Sequence, residues 1–294
     1  MRTNARRVGA VAGAVLLLLT LAPVAAAEAA PGPGGRLLYL RFDGSTGEVP
    51  GQLRSVRPDG SAPQDFGRQM GIYSYPDYTP DGRRIGYVEG WSFRSMAADG
   101  SGDRWLGDGP YGSAFPRWSP DGKWLAGESG GDIWRVNADG SGAGSGNVTN
   151  SEYNDLVVSW APGGRRFATA DIHGVRIYTA DGRRSRVLTE LDGAYRLAWN
   201  PDGRTLAVEA WGEIWLVDAV TGASRQVTAT PEIEFVPVWS PDGRWLAYGR
   251  GPGVTDPDFP ATVTDPQIWL MNRTGGNQHS TGIAGVATSW RAQP

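Results

Sequence analysis

The sequence predicts an all-β chain folded as a six-bladed β-propeller and closed by its own C-terminal strand. Three observations carry that prediction. First, a turn phrase behind an aromatic residue returns at near-constant spacing: Tyr78-Thr79-Pro80-Asp81-Gly82, Trp118-Ser119-Pro120-Asp121-Gly122, Trp160-Ala161-Pro162-Gly163-Gly164, Trp199-Asn200-Pro201-Asp202-Gly203 and Trp239-Ser240-Pro241-Asp242-Gly243. A worn copy, Ser289-Trp290-Arg291, ends the series. A period of this size marks units that bury their apolar faces only against neighbours. Second, no window beyond the N-terminal segment sustains a 3.6-residue apolar period with helix caps, whereas β-branched and aromatic runs alternate with Gly-rich connections. Third, the chain enters its first unit at a second strand, Leu37-Leu38-Tyr39-Leu40, and ends on an orphan first strand, Ala287-Thr288-Ser289-Trp290. Pairing those two strands closes the ring and leaves no sheet edge open.

In chain order, the first element is not part of the fold. Arg2, Arg6 and Arg7 precede an apolar run over 11–21, and small residues follow through Ala29, the order of a secretory signal. Residues 1–29 are therefore read as a signal peptide, 30–36 as a Pro- and Gly-rich spacer, and 37–294 as the propeller. That reading implies an exported protein, periplasmic, cell-wall associated or extracellular, and the mature chain carries no transmembrane segment. Loss of the signal removes three Arg and one Glu and moves the formal charge from −3 to −5. An acidic balance argues against a nucleic-acid partner, which calls for a basic face. There is no cysteine, so disulfides, zinc-thiolate sites and a cysteine nucleophile are excluded.

Each unit then repeats one plan. An aromatic-ended strand meets the Pro-Asp-Gly turn, where Pro presets φ, Asp caps the turn and Gly takes the positive φ. A second strand such as Trp124-Leu125-Ala126 follows, and a third such as Asp132-Ile133-Trp134-Arg135-Val136 closes on an Asp-Gly turn before a short fourth strand. Six units result, with third strands at Leu53, Phe93, Ile133, Val175, Ile214 and Ile268. Tyr78, Trp118, Trp160, Trp199, Trp239 and Trp290 share one column and are expected to fill the wedges between blades. Arg54, Arg94, Trp134, Arg176, Trp215 and Trp269 share another, where cation–π contacts between neighbouring blades are expected. The insertion 251–265 stretches the last spacing, Trp239 to Trp290, to 51 residues against 39 to 42 elsewhere. Pro252, Pro257 and Pro260 suggest a stiff protruding loop with Phe259 at its tip.

The run Pro116-Arg117-Trp118-Ser119-Pro120-Asp121-Gly122-Lys123-Trp124-Leu125-Ala126 with Asp132-Ile133-Trp134-Arg135-Val136-Asn137-Ala138-Asp139-Gly140-Ser141, matched again at 237–247 with 267–272, resembles the TolB-type propeller repeat. In that family the propeller is a periplasmic interaction module of a cell-envelope complex and follows a separate α/β domain. Here only the spacer stands between the signal and the first strand. The resemblance therefore implies an exported TolB-like propeller lacking the N-terminal TolB domain.

Catalytic alternatives find little support in the residues. Prolyl oligopeptidases, which carry a related repeat, need a Gly-x-Ser-x-Gly elbow; Ser92 follows Gly90 but has Arg94 two residues on. Metal-dependent lyases with similar repeats use several histidines, and this chain has His173 and His279, in different blades. No cofactor is expected, with calcium kept as the alternative because it takes oxygen ligands, at Asp99 and Asp103 or at Asp256 and Asp258.

The site argument is one of geometry. Connections from second to third strand, and from blade to blade, gather on one face of a propeller, and loops carry binding more often than scaffolds. Here they hold Arg41, Glu89, Trp91, Asp171, His173, Trp211 and Arg250, with Tyr73, Tyr75, Tyr153, Tyr195 and Arg196 on the interblade links. Aromatics mixed with charges suit a protein or glycan surface. The expectation is a non-enzymatic module binding a cell-envelope or extracellular protein, or a glycan. The alternative is a channel-mouth hydrolase or lyase acting on a glycan or lactone, with calcium.

Overall fold

Six antiparallel four-stranded sheets follow one another around a ring in the computed structural model, which describes residues 33–44, 46, 50–71, 73–110, 112–256 and 259–293. The expected signal segment lies outside these residues. Blade 1 is Val286–Arg291, Arg36–Arg41, Gly51–Val56 and Gln64–Met70, and blade 2 is Asp77–Tyr78, Arg84–Glu89, Ser92–Ala97 and Arg104–Asp108. Blade 3 is Ala114–Trp118, Trp124–Ser129, Asp132–Asn137 and Gly146–Asn147, and blade 4 is Val157–Trp160, Arg166–Asp171, Gly174–Thr179 and Ser185–Thr189. Blade 5 is Ala194–Trp199, Thr205–Ala210, Glu213–Asp218 and Ser224–Gln226, and blade 6 is Ile233–Trp239, Trp245–Gly251, Gln267–Asn272 and His279–Ala284. Strands are given from the inner, channel-side strand outward.

The closure predicted from the two chain ends is present. Val286–Arg291 pairs with Arg36–Arg41, bringing Leu37 opposite Trp290 and Leu40 opposite Val286. Ser289 then carries the seam into blade 2, because its Oγ accepts the Tyr78 amide at 3.1 Å and donates to Asp77 at 2.7 Å. The same stitch recurs around the ring: Asp77 accepts the Trp118 amide at 2.9 Å, and Ser159 accepts that of Trp199 at 2.9 Å. In these three blades the residue before the aromatic thus ties its blade to the next.

The turn phrase behaves as its chemistry demands. In Trp118 to Gly122, the Gly122 amide donates to the Ser119 carbonyl, Ser119 Oγ donates to Asp121, and Asp121 accepts the Lys123 amide. Gly122 sits at φ +68°, a region L side chains avoid. Blade 4 keeps the backbone bonds with Ala161 and Gly164 although it lacks both side-chain caps.

The aromatic column fills the wedges. Tyr78, Trp118, Trp199, Trp239 and Trp290 are buried, and Trp160 is half-buried. Trp118 of blade 3 lies directly on Gly86 of blade 2, where an added Cβ would stand 2.6 Å from the indole nitrogen and 2.7 Å from Leu125. Gly86→Val is therefore expected to overpack this wedge and destabilise the fold by ~1–3 kcal/mol, read as a lower urea midpoint. An unchanged midpoint would show that the wedge can widen freely.

Two expectations are corrected. The column holding Arg54, Arg94 and Arg176 does not stack on tryptophans of neighbouring blades. Arg54 pairs with Asp65, its register partner on the outer strand of its own blade, at 2.8 Å, and Arg94 pairs at 3.0 Å with Asp103, which immediately precedes the outer strand of its own blade. Nor is the insertion an irregular loop. Gly253–Asp256 pairs with Phe259–Val263 as a hairpin, and its base is tied to blade 1 by the Thr46 amide on the Val263 carbonyl (2.8 Å) and the Val263 amide on Thr46 Oγ1 (2.9 Å). Pro257, Asp258 and the side chains of Asp256 and Phe259 lie outside the described residues.

Candidate functional site

Second-to-third-strand connections and interblade links lie on one face, as backbone bonds between them in blades 2, 3, 4 and 5 show: Gly109 donates to the Trp91 carbonyl, Asp155 to Gly131, Gly193 to Ile172 and Glu234 to Gly212. The described residues include nine large apolar side chains left exposed, and six of them stand on this face: Tyr73, Trp91, Tyr153, Ile172, Trp211 and Val254 of the insertion hairpin. The Asp-Gly turns of the opposite face expose Val220. Trp91 and Trp211 are the barest, at 62% and 53%, and they belong to blades 2 and 5, on opposite sides of the ring. Trp211 is also held in the left-handed region, at φ +54°, with its ring against Gly193. A strained, pinned aromatic is pre-organised rather than merely uncovered.

Beneath these rims the channel is plugged. Arg196 of blade 5 reaches across the axis and lies over Tyr75 of the blade 1–2 link (4.4 Å), Phe115 of blade 3 (4.8 Å) and Tyr195 (5.3 Å). Tyr73 and Tyr75 close on Phe115 with ring centroids at 6.0 and 5.5 Å. Three rings around one guanidinium gain both apolar burial and cation–π attraction. The counter-charge is Glu209, 3.7 Å away and equally buried. Burial pushes the Glu209 carboxyl up, while Arg196 and the Val236 amide pull it down. Phe115 and Val236 occupy equivalent inner-strand positions, and both sit at φ +51°. Val236 is β-branched, so its conformation is costly; the amide it donates to Glu209 at 2.9 Å is what this backbone presents.

No protein-family model matches the sequence. Solved structures do: TolB from Acinetobacter baumannii aligns at a TM-score of 0.68 and 18% identity, over 88% of this chain and 67% of that one. A TolB from Agrobacterium tumefaciens aligns at 0.63 and 16% identity, over 87% of this chain and 92% of its own. The fold is that of the TolB propeller. Hydrazine synthase from Kuenenia stuttgartiensis shares the architecture more distantly, with a TM-score of 0.54 and 14% identity over 70% of this chain and 64% of that one. The TolB-type fold thus occurs under unlike names and does not by itself assign a role.

Within the TolB-type ring the predicted residues fall into separate neighbourhoods. Glu89 lines a cleft of about 710 Å³ with Arg68, Met70, Tyr73 and Tyr87, between blades 1 and 2. Asp171 and His173 line another, of about 330 Å³, on blade 4. Arg41 is exposed and lies 3.7 Å from Asp43. Arg250 is turned inward, bonded to Glu232 at 2.7 Å and stacked on Trp269 at 4.2 Å. Tyr75 is buried in the plug and Tyr195 is half-buried beside it, its phenol pushed up to about 12 by burial. Asp99 caps its own turn through Ser101, and Asp103 is claimed by Arg94, Arg68 and Tyr87. Against the upward push of burial, those hydrogen bonds hold Asp103 down at about 2. Among the described residues, no three His, Asp or Glu side chains converge as metal ligands, and no helix is long and apolar enough to cross a membrane.

Two further buried acids stand outside the predicted residues, as Glu209 does. Asp155 and Glu234 occupy the same link position in two blades and accept hydrogen bonds from Ser151 (2.9 Å) and Thr230 (2.6 Å), each four residues earlier. That hydroxyl-then-acid spacing, repeated, was the available signal. Glu234 is fully buried, and burial together with Glu213 beside it pushes its carboxyl up to about 7, against Thr230 and Arg250. A carboxyl raised above its ordinary 4.5 adds stability below that pH and loses it as pH climbs through about 7. Glu234→Gln is thus expected to raise stability at pH 8 by on the order of 2–3 kcal/mol and to give no gain at pH 4, followed by thermal melts across the range.

Proposed function

We propose that this chain is an exported, non-enzymatic binding module that takes a cell-envelope or extracellular protein on its loop face. The observation that carries this reading is the concentration of exposed aromatics there, led by Trp91 and Trp211 on opposite lips of a plugged channel. Exposed apolar patches of this kind mark interaction sites, and tryptophan is enriched among residues that dominate binding energy. The plug supports binding over chemistry, because Arg196 and its three rings fill the axis where a channel substrate would sit. Glu89 and Asp171, the acids available to a hydrolase or lyase, line two different clefts.

Crosslinking of the exported protein in intact cells tests this reading. Trp91→Ala and Trp211→Ala are each expected to weaken capture of a partner by about tenfold or more, with melting temperature unchanged because both rings are exposed. Identical crosslinked species from wild type and both variants would sink the loop-face assignment.

A further inference from the structure

The cleft of about 330 Å³ on blade 4 is lined by Tyr153, Asp171, His173, Arg176, Glu190 and Asp192, with Val175 and Val187 on its walls. Its polar side chains are unengaged to a degree seen nowhere else in the third-strand arginine column. Arg54 has Asp65 opposite it across the ladder and pairs with it at 2.8 Å. Arg176, the equivalent residue, has Val187 opposite instead. With Val187 there in place of an acid, the Arg176 guanidinium stacks on the Tyr153 ring at 3.5 Å and enters no ion pair among the described residues.

Acids are nevertheless present around the same void. Asp171 spends one oxygen, Oδ1, on the amides of His173 (2.8 Å) and Gly174 (3.0 Å). Glu190 and Asp192 enter no ion pair or hydrogen bond among the described residues, and neither does the His173 ring. Opposite charges thus face one cleft without neutralising each other. Tyr153 completes it: Arg176 covers one face of the ring, yet the residue is 46% exposed, so the other face is open. Its backbone amide donates to Ser151 Oγ at 3.2 Å.

These groups discriminate between ligand classes. An anion meets three carboxylates, and a bare cation meets the Arg176 guanidinium. A neutral polyhydroxyl ligand satisfies both sets, since each hydroxyl donates to a carboxylate and accepts from a guanidinium or imidazole. The open Tyr153 face adds a flat apolar platform of the kind the C–H face of a pyranose ring covers. A volume of about 330 Å³ sits at the lower end of small-ligand sites. We propose that this cleft binds a neutral saccharide of one or two rings, against Tyr153 and between Arg176 and the Asp171, Glu190 and Asp192 carboxylates.

Neither Trp91 nor Trp211 lines the cleft, although Tyr153 belongs to the same loop face and Trp211 lies against Gly193 beside Asp192, so saccharide binding and protein capture are measured separately. The test is saturation-transfer NMR and calorimetry on the purified mature protein, using chitobiose, cellobiose, maltose and mannobiose, with free lysine and glutamate as the zwitterionic arm. At least one disaccharide is expected to bind, and Tyr153→Ala and the pair Glu190→Gln with Asp192→Asn are each expected to weaken it by about tenfold. Val220→Ser, on the opposite face, should leave it unchanged. Both variant sites lie at the surface, and an unaltered melting temperature confirms that they fold. No transfer to any disaccharide at millimolar concentration, binding that survives Tyr153→Ala, or binding of the amino acids alone would each overturn the proposal.

Discussion

Deletion of residues 286–294 is expected to abolish cooperative folding. The last strand supplies the inner edge of blade 1, with Val286, Ala287, Thr288, Ser289 and Trp290 all buried. Fully burying one large apolar side chain contributes ~1.5–3 kcal/mol, so losing Val286 and Trp290 already removes a large part of a typical 5–15 kcal/mol stability. The deletion also strips the Leu37 to Leu40 ladder of its partner, the Tyr78 amide of Ser289, and Gly82 of the Arg291 guanidinium, which bonds its carbonyl and stacks on Tyr78 at 4.8 Å. An open propeller exposes two sheet edges, and such edges aggregate. The expected readout is loss of the near-ultraviolet circular dichroism from the tryptophans and of a sigmoidal urea transition. Fusing the same segment ahead of Gly34 should restore both, since ring closure needs the strand and not its place in the chain. A truncated protein that still unfolds in one sharp transition would show that closure is dispensable.

This strand is legible in the sequence, and the reason is physical. An orphan first strand at one end and a missing first strand at the other are complementary defects in one repeat, and only a ring repairs both. The turn phrases were legible for a similar reason, because Ser119, Asp121 and Gly122 act within five residues of one another. The plug was not. Tyr75, Phe115 and Arg196 hold the same position in their units, but which of them meet depends on their order around the axis and on left-handed backbone at Phe115. Periodicity says nothing about contacts across a ring. The prolines of the insertion suggest a stiff loop, but its β-branched Val254, Thr262 and Val263 pair in a ladder that local sequence does not announce. Of the candidate site, the loop face was legible as a class of position. The division of Glu89 from Asp171, and the inward turn of Arg250 and Tyr75, required the side chains to be seen.

Arg196 is the residue whose replacement should cost most without removing a strand. Arg196→Met keeps an apolar chain against Tyr75, Phe115 and Tyr195 but leaves Glu209 buried with no counter-ion. Breaking one side of a buried ion pair typically costs ~3–5 kcal/mol, and that loss is expected here at pH 8. The pH dependence carries the diagnosis. Burial already places the Glu209 carboxyl above its ordinary 4.5, and Arg196 is the group that pulls it back. Removing the guanidinium raises it further, so the carboxyl adds stability below 4.5 and withdraws it as pH climbs through the new folded value. The variant should therefore be least impaired near pH 5 and worst at pH 8, the reverse of acid denaturation. Adding Glu209→Gln should recover most of the loss at pH 8, because the neutral amide can still accept the Val236 amide and carries no charge to strand. Equal losses at both pH values, with no recovery in the double variant, would mean that the three rings alone hold the plug and that the charge pair is incidental to it.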